Sequence, residues 1–269
     1  MKTIHNMIQL YNYQLYQLSG TAVLDFLQGQ VCSDVKLLEE GGSQLTGICN
    51  AKGRLVASPY LLLKNGEYYL ALEKDMVEIL FKYWKPYLMI SRVTAKLCEH
   101  FNAYGCLDEP ELGTHNFKIT YAGETQAKII FTKEPLANTT TELEWFANIV
   151  QSGVVIIQPE TSKLFMPITL AYEKFDALSF NKGCYVGQEI LARVHFKGSV
   201  KQQIVKIAFS EKQTIEANQN IMNMGNKIAG YIVISPKDKN PVTTTLAVIK
   251  KSCIADGLSL ENGARCRIL

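Results

Sequence analysis

Residues 8–18 mix apolar, aromatic and polar side chains in the manner of a strand. From Gly20-Thr21 the spacing lengthens. Val23, Leu24 and Leu27 then share one face, which predicts a helix ending at Gly29. Between Leu45 and Leu72 lie three strand-like runs. The quartets Asn50-Ala51-Lys52-Gly53 and Lys64-Asn65-Gly66-Glu67 supply turn chemistry between them, so the region reads as an antiparallel meander. Met76, Ile79, Leu80 and Tyr83 predict a helix over 74–85, limited by Pro86. Short strands are expected over 92–97, 101–107 and 127–131. A helix is expected over 141–152, with threonines at its start and Gly153 just past its end. The last seventy residues change character. Apolar runs at 204–209, 227–234, 243–250 and 265–269 are separated by Gly, Asn and Pro, as in a small β-barrel or sandwich beginning near Gly198. The predicted class is α+β: residues 1–197 as two interleaved α+β parts, and residues 198–269 as an all-β domain.

Composition narrows the function classes. With 269 residues, 47% hydrophobic and 20% charged, the chain has material for more than one buried core. A net charge of +3 argues against a polybasic nucleic-acid binder. The first ten residues lack the apolar stretch of a secretory signal, and no window approaches the roughly 20 apolar residues of a membrane span. A cytoplasmic location is the expectation. The seven cysteines are scattered with no C-x-x-C pair, against a zinc or cysteine-only cluster site and in favour of free thiols in a reducing compartment. Nucleotide-binding glycine loops, the G-x-S-x-G elbow and H-E-x-x-H are all missing from the sequence.

The chemistry concentrates between Asn181 and Gly198. Gly183 and Gly187 bracket Cys184-Tyr185, suggesting a tight loop where backbone approaches a ligand. Ile190, Leu191 and Val194 form the stripe of a following helix that Gly198 stops. Cys184 then precedes a helix N-terminus and lies two residues from Lys182, both of which favour thiolate. A lone cysteine is more often inert core, and the flanking Lys, Gly and Tyr set this one apart. Glu189 and Arg193 have i,i+4 spacing and read equally as a surface pair. His195 as a base for Cys184 is weighed against a simple packed or exposed histidine. Arg193, Lys197, Lys201 and Lys206 make a modest basic run, free of acidic residues from 190 to 210. Trp145 shares a helix face with Phe146 and Ile149, and such an aromatic is more often core than ligand wall.

Lys182-Gly183-Cys184-Tyr185-Val186-Gly187-Gln188-Glu189, followed by Ala192-Arg193 and Phe196-Lys197-Gly198, resembles the K-G-C-[FY]-x-G-Q-E signature of the YgfZ family. These are folate-binding relatives of the glycine-cleavage T-protein and include mitochondrial iron–sulfur assembly factors. Phe26-Leu27-Gln28-Gly29-Gln30 through Asp34 is similar to a second family segment, and Asn50-Ala51-Lys52-Gly53-Arg54 to a third. Order and spacing agree across roughly residues 10–200. The resemblance implies a T-protein-like multi-domain fold of antiparallel sheets with packed helices, plus a C-terminal β-barrel. It implies a tetrahydrofolate-type ligand in a central opening and a role in maintaining iron–sulfur client enzymes such as radical tRNA methylthiolases. By the same resemblance Cys184 is the functional thiol and Lys182 its cation. Gln30, Tyr185, Gln188, Glu189 and Arg193 are expected near the ligand, with Tyr13 and Trp145 as folate-contacting aromatics.

Two departures matter. A working T-protein has an acidic residue just after the third segment, where this chain reads Leu55-Val56-Ala57-Ser58, and no Asp or Glu occurs between Glu40 and Glu67. That weakens the competing reading as a tetrahydrofolate-dependent aminomethyl or methyl transferase. In the family's P-Q-x-x-N-L segment, Pro167 is followed by Ile168, and Ala171 stands where Asn is usual. A tRNA-binding module using the basic run is a further alternative.

Overall fold

The computed structural model describes residues 6–108, 116–123, 125 and 127–269. In chain order the first elements are β1 (Met7–Gln9), β2 (Tyr13–Ser19), α1 (Val23–Gln30), β3 (Ser43–Leu45), β4 (Ile48–Cys49), β5 (Leu55–Ala57), β6 (Tyr60–Lys64), β7 (Glu67–Glu73) and α2 (Lys74–Ser91). They are followed by β8 (Thr94–Leu97), β9 (Asn102–Cys106), β10 (Phe117–Thr120), β11 (Lys128–Thr132), α3 (Glu142–Ser152) and α4 (Gln188–Lys197). The C-terminal strands are β12 (Gln202–Gln213), β13 (Asn220–Asn223), β14 (Ile228–Ile232), β15 (Val242–Lys250), β16 (Leu258–Leu260) and β17 (Arg265–Ile268).

Three antiparallel sheets and a barrel result. One sheet has the order β3-β6-β7-β2-β8, a second β1-β9-β11-β10, and β4 pairs with β5 alone. Strands β12 to β17 close into a barrel of order β12-β15-β14-β13-β16-β17, so the C-terminal region is a barrel and not a sandwich. Closure leaves this part of the chain no free sheet edge. No helix among the described residues is long and apolar enough to cross a membrane.

Local chemistry explains most boundaries. Asn65 and Gly66 both adopt positive φ (53° and 74°), the conformation that joins β6 to β7 in a two-residue hairpin. Thr141 and Glu144 form a reciprocal capping box on α3, and Gly153 ends it with a left-handed φ of 74°. The expected strand over 8–18 is broken at Leu10–Asn12. Its two halves, β1 and β2, join different sheets, and this places Tyr13 at the seam between them. Helix α2 does not stop at Pro86 but continues to Ser91. Pro86 lies on the exposed side, while Met76, Leu80 and Trp84 anchor the helix in the core, so one lost backbone hydrogen bond does not end it. Trp84 is fully buried, with its ring edge-on to Phe26 at 5.0 Å.

Candidate functional site

The three recognised segments, far apart in sequence, pack on one another. Gly187 caps the N-terminus of α4 with φ 86°, and a Cβ there would lie 2.6 Å from the Asn50 carbonyl and 3.2 Å from the Cys49 Cβ. Gly53, at φ 69°, is covered by Leu191, whose side chain lies 3.2 Å from the place of a Cβ. The Val186 amide donates to the Gly29 carbonyl at 3.2 Å. Lys182 reaches across the same junction: its ammonium donates to Val31 O (3.0 Å) and Ser33 O (2.6 Å) at the C-terminal end of α1. A cation there meets the unpaired carbonyls and the negative end of the helix dipole. The ammonium also lies 5.3 Å from the Tyr185 ring centroid. Burial pushes the Lys182 pKa down to about 8, partly opposed by the neighbouring Cys32 and Asp34 side chains.

The loop between Lys182 and Gly187 turns its cysteine outward. Cys184 is exposed, whereas Cys98 is half-buried and the other five cysteines are buried. Lys182 is directed inward to the carbonyls flanking Cys32, a different arrangement from the expected pairing with Cys184. Tyr185 is buried beneath the loop and its hydroxyl has no hydrogen-bond partner; its amide donates to the Gln188 side chain at 3.3 Å. Gln30 is buried with its side-chain oxygen unpartnered. Glu189 and Arg193 face solvent as a 3.3 Å pair, which matches the surface reading of that spacing. His195 is held by Glu173 (2.8 Å to Nδ1) and stacks on Phe180 at 4.4 Å, and is no base for Cys184 in this arrangement. Gly183 differs from Gly187: its φ is not left-handed, and a Cβ would meet nothing within 4 Å. Gly183→Ala is therefore expected to leave the thermal midpoint unchanged within error in a melting experiment.

Tyr13 and Trp145 come together elsewhere, around a cavity of about 50 Å³ that Glu73, Tyr121, Glu142 and Lys237 also line. Tyr13 opens β2 and is paired in register with Glu73 at the end of β7. Trp145, on α3, lies flat against the backbone of β9, where a Cβ on Gly105 would be 2.8 Å from the indole. Its edge meets Tyr121 at a centroid distance of 6.0 Å. The barrel supplies the last wall. Gln158 takes Ser235 in both directions, accepting from its amide (3.1 Å) and donating to its carbonyl (2.9 Å), and so fixes the segment that carries Lys237. Lys237 lies 2.7 Å from Glu73 and 3.2 Å from Asp75. Burial pushes the Glu73 carboxyl up, opposed by Lys237. Burial also works against the Lys237 charge, but the two carboxylates outweigh it and raise its pKa. The Tyr121 hydroxyl is buried with no partner, an orphan donor beside the cavity.

The expected site is thus divided. Tyr13 and Trp145 line the cavity; Lys182, Cys184, Tyr185, Gln188, Gln30 and the loop glycines form the separate junction. Sequence reasoning missed Glu73, Tyr121 and Lys237. The stretch 55–58 holds no carboxylate, as read, and Ser58 there accepts from the Ile157 amide. Glu73, one hairpin further on, nevertheless brings a carboxylate to the cavity wall. At Ala171 the departure from Asn is visible as strain, because Ala171 has φ 57°. Ala171→Asn is expected to raise stability by about 0.5–1 kcal/mol in chemical denaturation, since Asn tolerates the left-handed region better.

No family model matches the chain. An uncharacterised protein of Haemophilus influenzae is 30% identical over 219 residues, spanning 80% of this chain and 77% of the relative. The tRNA-modifying protein YgfZ of Escherichia fergusonii is 27% identical over 251 residues, covering 81% and 77%. That of Blochmanniella pennsylvanica is 24% identical over 253 residues, covering 82% and 76%. The chain belongs to the YgfZ family. The YgfZ signature is therefore the junction just described, built from all three of its segments. Among solved structures, the glycine cleavage system aminomethyltransferase T from Bartonella henselae superposes with a TM-score of 0.74, at 12% identity, over 98% of this chain and 84% of that one. The fold is T-protein-like with a C-terminal barrel.

Proposed function

We propose that this chain is a folate-binding accessory protein supporting assembly or repair of iron–sulfur clusters, notably those of tRNA-modifying enzymes. The observation that carries the reading is the aromatic-walled cavity with a buried carboxylate and an unpartnered hydroxyl. A reduced pterin presents an amino group and a ring N–H side by side, and a carboxylate such as Glu73 accepts from both. Tyr121 has a free hydroxyl for a further polar atom, and Tyr13 and Trp145 give the cavity aromatic walls. The donor set fits a folate. The enclosed space of about 50 Å³ is smaller than a two-ring ligand, so entry requires the segment carrying Lys237 to yield. When bound, tetrahydrofolate is a carrier of one-carbon units.

Residues 1–197 would hold the folate and 198–269 would close over it. Cys184, the exposed thiol, would meet client enzymes, and Lys182 would keep its loop seated on α1. The relatives named as tRNA-modifying proteins support the tRNA connection. The seven thiols, none joined in a disulfide, suit a reducing cytoplasm. The test is complementation in a strain lacking its own protein of this kind, scored by methylthiolation of tRNA. The wild-type chain should restore the modification, and Glu73→Leu, which removes the proposed pterin acceptor, should restore less than a tenth of it. Equal restoration by that variant would remove the cavity from the function.

A further inference from the structure

Behind the signature loop lie two thiols that neither the cavity nor Cys184 explains. Cys32 follows α1 and Cys49 ends β4; both are fully buried, and their Sγ atoms are 3.5 Å apart. That separation is a van der Waals contact, and closing it to a covalent bond needs a movement of roughly 1.5 Å. The signature residues converge on this pair. Lys182 binds the carbonyls of Val31 and Ser33, the residues on either side of Cys32. Gly187 sits directly over Cys49, its missing Cβ 3.2 Å from the Cys49 Cβ. The Ser179 amide holds the Cys32 carbonyl at 2.9 Å. The Cys32 contact and then burial push the Cys49 thiol up, and the Lys182 ammonium is held on the carbonyls at either side of Cys32.

We propose that Cys32 and Cys49 are a redox-active dithiol, a site of reversible disulfide formation by hydroperoxides, with Lys182 as the cation that positions and activates Cys32. The Cys32 thiolate attacks a peroxide oxygen, forming Cys32 sulfenic acid and expelling the other oxygen, which leaves as water or alcohol after taking a proton. The Cys49 sulfur then attacks the Cys32 sulfur and displaces water, its own proton going to the departing hydroxyl. Two thiols and one peroxide become one disulfide, with two electrons moving from sulfur to oxygen. Access comes by local lifting of the 181–187 loop, which covers the pair and contains no helix or strand. A transient bond of this kind is the form disulfides take in reducing compartments.

The experiment uses the full chain carrying Cys184→Ser, so that the exposed thiol cannot form intermolecular bonds. Folded, reduced protein is treated with hydrogen peroxide, alkylated and digested without reductant, and the peptides are read by mass spectrometry. A linked pair of peptides containing Cys32 and Cys49 is expected, and it should disappear on reduction. Adding Lys182→Met should slow its formation about tenfold. Adding Cys49→Ser instead should leave Cys32 as a sulfenic acid that dimedone traps. Recovery of both cysteines in alkylated form after peroxide would overturn the pair, and dimedone labelling absent from Cys32 would overturn its place as first nucleophile. An unchanged rate in the Lys182→Met chain would overturn the role of the lysine.

Discussion

Replacing Cys184 with alanine is expected to abolish restoration of tRNA methylthiolation in a deletion strain while leaving the melting curve of the purified protein in place. The two halves of that expectation have separate causes. The side chain is exposed and adds no packing, so its loss should change stability by no more than about 0.5 kcal/mol. The loop nevertheless presents this thiol outward, on a backbone fixed by Lys182 and by the Val186 amide. Such a fixed, solvent-facing thiol is suited to meeting a partner. Full rescue by Cys184→Ala would remove the thiol from the function. A lowered melting point would instead show that its contribution is structural.

Gly187→Ala is expected to have the largest effect on stability of any single-methyl addition in the junction, about 2–4 kcal/mol, measured by chemical denaturation. A left-handed φ costs an alanine about 1 kcal/mol. The new Cβ would also stand 2.6 Å from the Asn50 carbonyl, and backbone on both sides must shift to admit it. Because that carbonyl belongs to the 50–53 turn, the damage should spread to the dithiol behind it. A Gly187→Ala chain as stable as wild type would mean that the three segments do not bear on one another as described.

The elements that were legible in the sequence have local causes. Helix α3 is announced by Thr141, Glu144 and Gly153, and the β6–β7 hairpin by Asn65-Gly66; both codes act within five residues. Strands β10, β13 and β16 were not foreseen, being three or four residues long, too short for an alternating pattern to stand out although each pairs with the next strand in the chain. Pro86 misled because a proline signals a helix end only when nothing else holds the helix, and Trp84 does. The site divides in the same way. The signature glycines and lysine stand together in sequence, so they were readable. The direction of the Lys182 side chain was not, because its acceptors lie about 150 residues earlier. Glu73, Tyr121 and Lys237 come from the end of β7, the residue after β10 and the barrel, and no spacing rule joins them. Cys32 and Cys49, seventeen residues apart, escaped a search for C-x-x-C for the same reason.

The central claim is that the cavity beside Trp145 receives a reduced folate, and calorimetric titration of tetrahydrofolate into wild type and Tyr121→Phe tests it most directly. The variant removes one buried hydroxyl that has no partner in the protein. Its stability should hold or rise by about 1 kcal/mol, since an unsatisfied polar group is costly to bury. If that hydroxyl meets the ligand, affinity should fall about tenfold. Saturable one-to-one binding by wild type, weakened in a variant that melts no lower, is the predicted result. No binding by the wild-type chain, or equal binding by both, would contradict it.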